Sequence, residues 1–228
     1  MQATRVRPRL GSRGQPQESR AAILQAAIRE FAREGVAGAR TDAIAHAAGV
    51  NKALLYYYFH DKEALYIAAI DQVFEERNRH IMPVLEADVP PGEKLLRFVG
   101  AFFDFLAAHP TYRELVQREI MLASGRRTHL QHILKHYIKP MYKQLVGVLR
   151  DGVKSGVFRP VDPLQFVPSI TALLVHYFGA APMIKLMTNQ DPLTPERLAA
   201  RRAAVLDFIS AALFQPTALE TTGREALK

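Results

Sequence analysis

Thr41 to Phe59 reads TDAIAHAAGVNKALLYYYF, and this run decides how the chain folds. It sets two short apolar-periodic segments on either side of Gly49 with almost no linker. The Thr41 hydroxyl can cap free backbone N–H groups and Asp42 complements the positive end of a helix dipole, so a helix is expected to start there. Ile44, Ala45 and Ala48 fall on its inward face, and Gly49 can take the positive φ that a tight interhelical turn requires. Asn51 is placed to cap the next helix, in which Leu55 and Phe59 share one face at i, i+4. Two short helices joined by a glycine turn follow helix-turn-helix grammar. An αα-corner in an ordinary core would explain Gly49, Leu55 and Phe59 equally well, so the outward-facing residues must discriminate.

At about 100° per residue, inward Leu55 and Phe59 turn Ala53 and Tyr57 outward, with Leu54 and Tyr58 to one side and Tyr56 to the other. Exposing that many aromatics on one short helix needs a reason, and a phosphate-lined major groove supplies it. Tyrosine hydroxyls can bind phosphates, Ala53 lets the backbone approach base edges, and Leu54 can meet a thymine methyl. Lys52 lies on the flank, with a stem long enough to reach guanine O6/N7 or a phosphate.

Outward from this run, Leu24, Ile28 and Phe31 recur at helical spacing with Ala27 beside them, and Gly35 reads as the stop. Asp61 is expected to cap a fourth helix through Leu65, Ile70 and Phe74 to His80. Beyond Pro83, helical segments are expected near 92–108, 111–123, 127–154, 163–187 and 195–213, between breaks such as Gly125, with Pro140 kinking the third. No stretch alternates as a strand. The expectation is an all-α chain: a flexible basic arm over 1–16, a three-helix DNA-binding domain over 17–66, a helical ligand-binding and dimerisation bundle over 67–214, and a fraying tail over 215–228.

Residues 20–66 resemble the amino-terminal DNA-binding domain of the tetracycline-repressor (TetR) family. Ile23, Ala26, Ala27, Phe31, Gly35, Thr41, Ile44, Ala45, Ala48-Gly49-Val50, Leu55-Tyr56-Tyr57, Phe59, Lys62 and Leu65 carry the likeness. It implies a dimeric, ligand-responsive transcriptional regulator, usually a repressor, in which Thr41, Tyr56, Tyr58 and Lys62 hold phosphates while Lys52, Ala53, Leu54 and Tyr57 face the groove. Two departures bear on specificity: Ala53-Leu54 stands where the family commonly has Gly-Thr, and Tyr58 where it often has His.

The uneven charge fits a polyanion partner, although a solvated basic face explains it as well. Residues 1–62 hold ten Lys/Arg against five Asp/Glu, whereas 63–228 hold twenty against seventeen, and Arg5, Arg7, Arg9 and Arg13 lie in the arm. The absence of cysteine excludes disulfides, thiolate metal sites and cysteine nucleophiles. Phosphate-loop, dinucleotide, metalloprotease-helix and serine-elbow motifs are also missing, so no enzymatic activity and no cofactor are expected. His129, His132 and His136, at i, i+3, i+7, form a candidate metal face, although a solvated face explains them as well. Phe102 is a candidate pocket wall, and Arg118, Glu119, Tyr137, His176 and Tyr177 are candidate anchors for a small apolar effector. The stretch Phe166 to Leu186 is too punctuated for a membrane span and reads as a deeply buried helix that, with 195–213, forms the homodimer interface. The partners expected are palindromic double-stranded DNA, a small-molecule effector and a second copy of the chain, in the cytoplasm and without a membrane. A helical adaptor or ligand carrier that binds no DNA is the alternative.

Overall fold

A computed structural model of the chain describes residues 16–121 and 127–216, all-helical apart from turns and one isolated bridge between Phe158 and Phe214. The basic arm, except its last residue, the tail beyond 216 and the break expected at Gly125 lie outside the described residues. One compact unit takes the helices up to Phe74 together with Glu114–Leu130; a second takes Glu75–Arg113 and the helices from Gln131 onward.

The first unit begins with α1 (Pro16–Gly38), whose Ile23, Leu24, Ala27, Ile28 and Phe31 are buried. Gly35 (φ 68°, ψ 173°) breaks helical geometry inside it, where the stop is expected. In α2 (Thr41–Ala48) Arg40, not Thr41, is the N-cap residue, and it makes no side-chain cap. Thr41 is the first helical residue, buried, with its hydroxyl turned to Tyr56. A tertiary partner has taken the oxygen that local chemistry would spend on capping. Gly49 (φ 70°, ψ 26°) ends α2 in the left-handed conformation, its N–H on the His46 carbonyl while the Val50 N–H reaches the Ala45 carbonyl. The Asn51 carboxamide accepts from the Leu54 N–H at 2.7 Å to start α3 (Lys52–Phe59), and Asp61 accepts from the Ala64 N–H at 2.7 Å to start α4 (Lys62–Glu86). Helix α4 runs past His80 and through Pro83. A proline so close to the helix end removes one late backbone bond, and burial of Ile81 and Leu85 on either side offsets that loss.

In the second unit α5 (Pro91–Ala108) buries Leu95, Phe98, Val99, Phe102, Phe103, Phe105 and Leu106 and packs on both α8 (Lys139–Lys154) and α9 (Pro163–Gly179). Helix α6 (Pro110–Met121) contributes to both units. The segment expected as one kinked helix over 127–154 is α7 (Arg127–Ile133), a π-helical turn at Leu134–Ile138, and α8. Pro140 has no N–H for the His136 carbonyl, and the wider turn absorbs the mismatch. The helix expected over 163–187 is likewise two, α9 and α10 (Ala181–Thr188), bent by 60°. Pro182 cannot donate to the Phe178 carbonyl, so the helix stops at Ala180 and restarts. Nor is that stretch deeply buried: in α10 only Ala181 is, while Met183, Leu186 and Met187 are exposed. Helix α11 (Pro195–Leu213) closes the described chain, packing on α5 and α9. No single helix among the described residues is long and apolar enough to cross a membrane.

Candidate nucleic-acid interface

The short helix α3 splits its residues as its spacing requires. Leu55 and Phe59 are 0% and 4% exposed, whereas Tyr57 is 74% exposed, with Lys52, Ala53 and Tyr56 also open to solvent. Leu54 and Tyr58 lie half-buried at the margin, and the Tyr58 ring stands edge-on to Tyr57 at 5.3 Å. Two contacts hold this face in register. Thr41 and Tyr56 share a hydrogen bond at 3.2 Å, tying α3 to the start of α2, and the Arg20 guanidinium from α1 lies 5.1 Å over the Phe59 ring.

Charge is arranged around the same face. The Lys52 ammonium donates to Asp42 at 3.0 Å, and that hydrogen bond holds it above the usual lysine range. Lys62, expected to hold phosphate, donates instead to the Ala39 carbonyl at 3.2 Å and the Ala37 carbonyl at 3.5 Å, at the end of α1. An ammonium has three donors, so one remains for an anion.

The six candidate effector residues do not converge on one cavity among the described residues. Phe102 is core, 5.8 Å from Phe98. Tyr137 is buried in the π turn, where its carbonyl accepts from Arg77 at 3.0 Å. The Tyr177 hydroxyl donates to the Pro192 carbonyl at 2.7 Å under the Arg201 guanidinium, and exposed His176 lines an apolar groove on α9 and α11. Arg118 belongs to the first unit, where its guanidinium donates to the carbonyls of Ala32 at 2.8 Å and Arg33 at 2.5 Å. A basic side chain after an apolar helix resembles an anchor in sequence, because its partners lie more than eighty residues upstream.

His129 bonds Glu63 and packs on the Tyr66 ring, which in turn donates its hydroxyl to buried Glu119, whereas the His132 and His136 rings lie tilted against each other at 4.6 Å. No group of three metal-capable side chains forms among the described residues. Sequence reasoning missed Asp42, read only as a dipole partner. For Asp42 the signal was present, since acid and lysine open the two helices of one helix-turn-helix.

Residues 23–69 match the family described as bacterial regulatory proteins, tetR family, and residues 91–209 match the tetracyclin repressor-like C-terminal domain. The chain belongs to the TetR family. RutR, a transcriptional regulator of Escherichia coli K12, is 30% identical over 168 residues, covering 74% of this chain and 77% of its own. The transcriptional repressor SCO4008 of Streptomyces coelicolor is 30% identical over 171 residues, covering 75% and 83%. Among solved structures, the transcriptional regulator SCO4942 of the same organism superposes with a TM-score of 0.67 at 27% identity, covering 87% of this chain and 99% of its own. This TetR-family chain is therefore a DNA-binding transcriptional regulator built as a repressor, with a helical C-terminal domain after its helix-turn-helix.

Proposed function

We propose that this TetR-family protein acts as a homodimeric repressor that presents α3 of each subunit to one half of a palindromic operator and leaves DNA when a small apolar molecule enters the bundle of residues 84–190. The observation that carries the reading is the division of α3, with Leu55 and Phe59 buried while Lys52, Ala53 and Tyr57 are presented to solvent. Lys52, Ala53, Leu54 and Tyr57 then face base edges, while Thr41, Tyr56, Tyr58 and the remaining donor of Lys62 hold phosphates. Thr41 acts through Tyr56, whose hydroxyl it orients. Residues 17–66 make up the DNA-binding domain in this reading.

Dimerisation is supported by apolar surface on α9 and α11. Leu164 and Phe208 are 65% and 61% exposed, and an open groove of about 430 Å³ lined by Phe166, Ile170, Leu173, Phe208 and Ile209 runs between the two helices. Four helices across a two-fold axis cover such a face, and pairing doubles the base contacts one short helix can make. The protein works in the cytoplasm, where its operator lies, and it performs no catalysis.

Half-sites lie about 34–36 Å apart, so a small change in recognition-helix separation costs affinity. A coupling of about 1–3 kcal/mol lowers it roughly 5- to 150-fold, and operator must weaken effector binding equally. Calorimetric titration of an effector found by thermal-shift screening, with and without operator, tests this. Equal affinity in both titrations refutes release, and tighter binding with DNA makes the effector a corepressor.

A further inference from the structure

The exposed face of the helix-turn-helix carries an ion pair between Lys52, first residue of α3, and Asp42, second residue of α2, at 3.0 Å with both side chains exposed. An exposed pair of this kind contributes little to stability. It does place a carboxylate on a face meant for a polyanion, where it repels phosphate, and it halts a lysine that would otherwise sweep over any backbone oxygen within reach. Resting on the reading of α3 given above, we propose that Asp42 and Lys52 act together as a reader of one G·C base pair in each half-site.

The chemistry is complementary. With one ammonium hydrogen on Asp42, Lys52 keeps two donors, and guanine offers two adjacent major-groove acceptors, N7 and O6. Adenine breaks that match because its N6 donates. The next group across the pair is cytosine N4, a donor, and the Asp42 carboxylate has acceptor sites beyond the one Lys52 occupies. The pair thus presents donors and an acceptor side by side, in the order in which a G·C edge presents acceptors and a donor. A lone lysine would discriminate less, since as a compact point charge it binds phosphate as readily as guanine. Ala53 and Leu54, which follow, carry no hydrogen-bonding side-chain group, so hydrogen-bond readout at this end of α3 falls to the pair.

The experiment selects operators for the full-length protein from a randomised duplex library, then measures binding of wild type, Asp42→Ala, Lys52→Ala and Tyr57→Ala to the selected duplex, to its variants at each position, and to mixed-sequence DNA across a salt series. Wild type is expected to prefer G·C by about tenfold at one position per half-site. Asp42→Ala loses that preference, binds mixed-sequence DNA more tightly, and steepens the salt slope by about one phosphate contact as Lys52 is freed to the backbone. Lys52→Ala loses the same preference without the gain. Retention of the G·C preference by Asp42→Ala, or an unchanged salt slope, overturns the proposal. Should Tyr57→Ala weaken binding in that case, only the paired reader fails; should Tyr57→Ala and Lys52→Ala both bind as wild type, the assignment of α3 fails with it.

Discussion

Replacing Arg118 with methionine removes the fork that finishes the first helix. Gly35 takes α1 out of helical geometry, so the amides beyond it turn away from the carbonyls of Ala32 and Arg33, and the Arg118 guanidinium supplies the donors at 2.8 and 2.5 Å. A hydrogen bond to a charged group contributes about 1.5–3 kcal/mol. Ala32 is buried and its carbonyl has little access to water, so that bond takes most of the value, while the exposed Arg33 carbonyl can exchange its partner for solvent. Methionine preserves the apolar stem, which isolates the polar loss. The sum is a destabilisation of about 2–3 kcal/mol, or roughly 5–10 °C in Tm for a chain of this size. Urea unfolding followed by far-UV circular dichroism, at one fixed protomer concentration because a dimer's stability depends on it, measures the loss. Arg118→Lys, which keeps the charge but not the planar fork, should fall between the two. A change below about 0.5 kcal/mol refutes the argument, because a substitution with no structural role falls in that range. A residue serving only as an effector anchor would show that small change together with a lost effector response.

Leu55→Ala should destabilise the protein by about 2–5 kcal/mol in the same assay, while Tyr57→Ala leaves stability within about 0.5 kcal/mol and weakens operator binding in a mobility-shift titration. Reversal of that pattern would mean the inner and outer faces of α3 are misassigned. Gly152→Ala puts a methyl carbon 1.9 Å from the ring of Phe158, which is buried and packed edge-on to Phe214 at 5.0 Å, so a loss of about 2–3 kcal/mol is expected by calorimetric or chemical unfolding. Phe208→Glu should yield monomers by light scattering if α9 and α11 meet across a two-fold axis; persistent dimers would move the interface elsewhere. Burial pushes the Tyr112 hydroxyl above its ordinary value of 10.0, against a smaller opposing pull from Arg77. Its contribution is intact below that value and is lost as pH rises through it, because the unfolded chain releases a proton that the folded chain keeps. Tyr112→Phe should therefore flatten the alkaline arm of a stability–pH curve, and an unchanged arm would show that other groups set it.

Much of the helix-turn-helix was legible because its determinants act over one helical turn. The Asn51 and Asp61 caps, the left-handed Gly49 and the inward pair Leu55 and Phe59 all depend on neighbours no more than four residues away, and each stands where spacing puts it. The same local logic bounds α5 and α11 to within a residue. It erred where local signals competed. Pro182 carried the signal for the α9–α10 break, but the apolar run through it persuaded toward continuity, since hydrophobic periodicity reports burial and not unbroken backbone hydrogen bonding; at Pro140 the expected kink takes the form of a π turn just before it.

Tertiary structure alone decided where polar side chains spend their hydrogen bonds. The Thr41 hydroxyl looks like a cap and is spent on Tyr56, Lys62 reaches the end of α1, and Arg118 finishes a helix that begins a hundred residues before it. The Lys52–Asp42 pair depends on the two helices crossing at their starts. Apolar burial needs only a face and a period, and both are written along the chain. A hydrogen bond needs a particular atom within about 3 Å at a suitable angle. Where that atom lies in another helix, the distance exists only after the helices have packed.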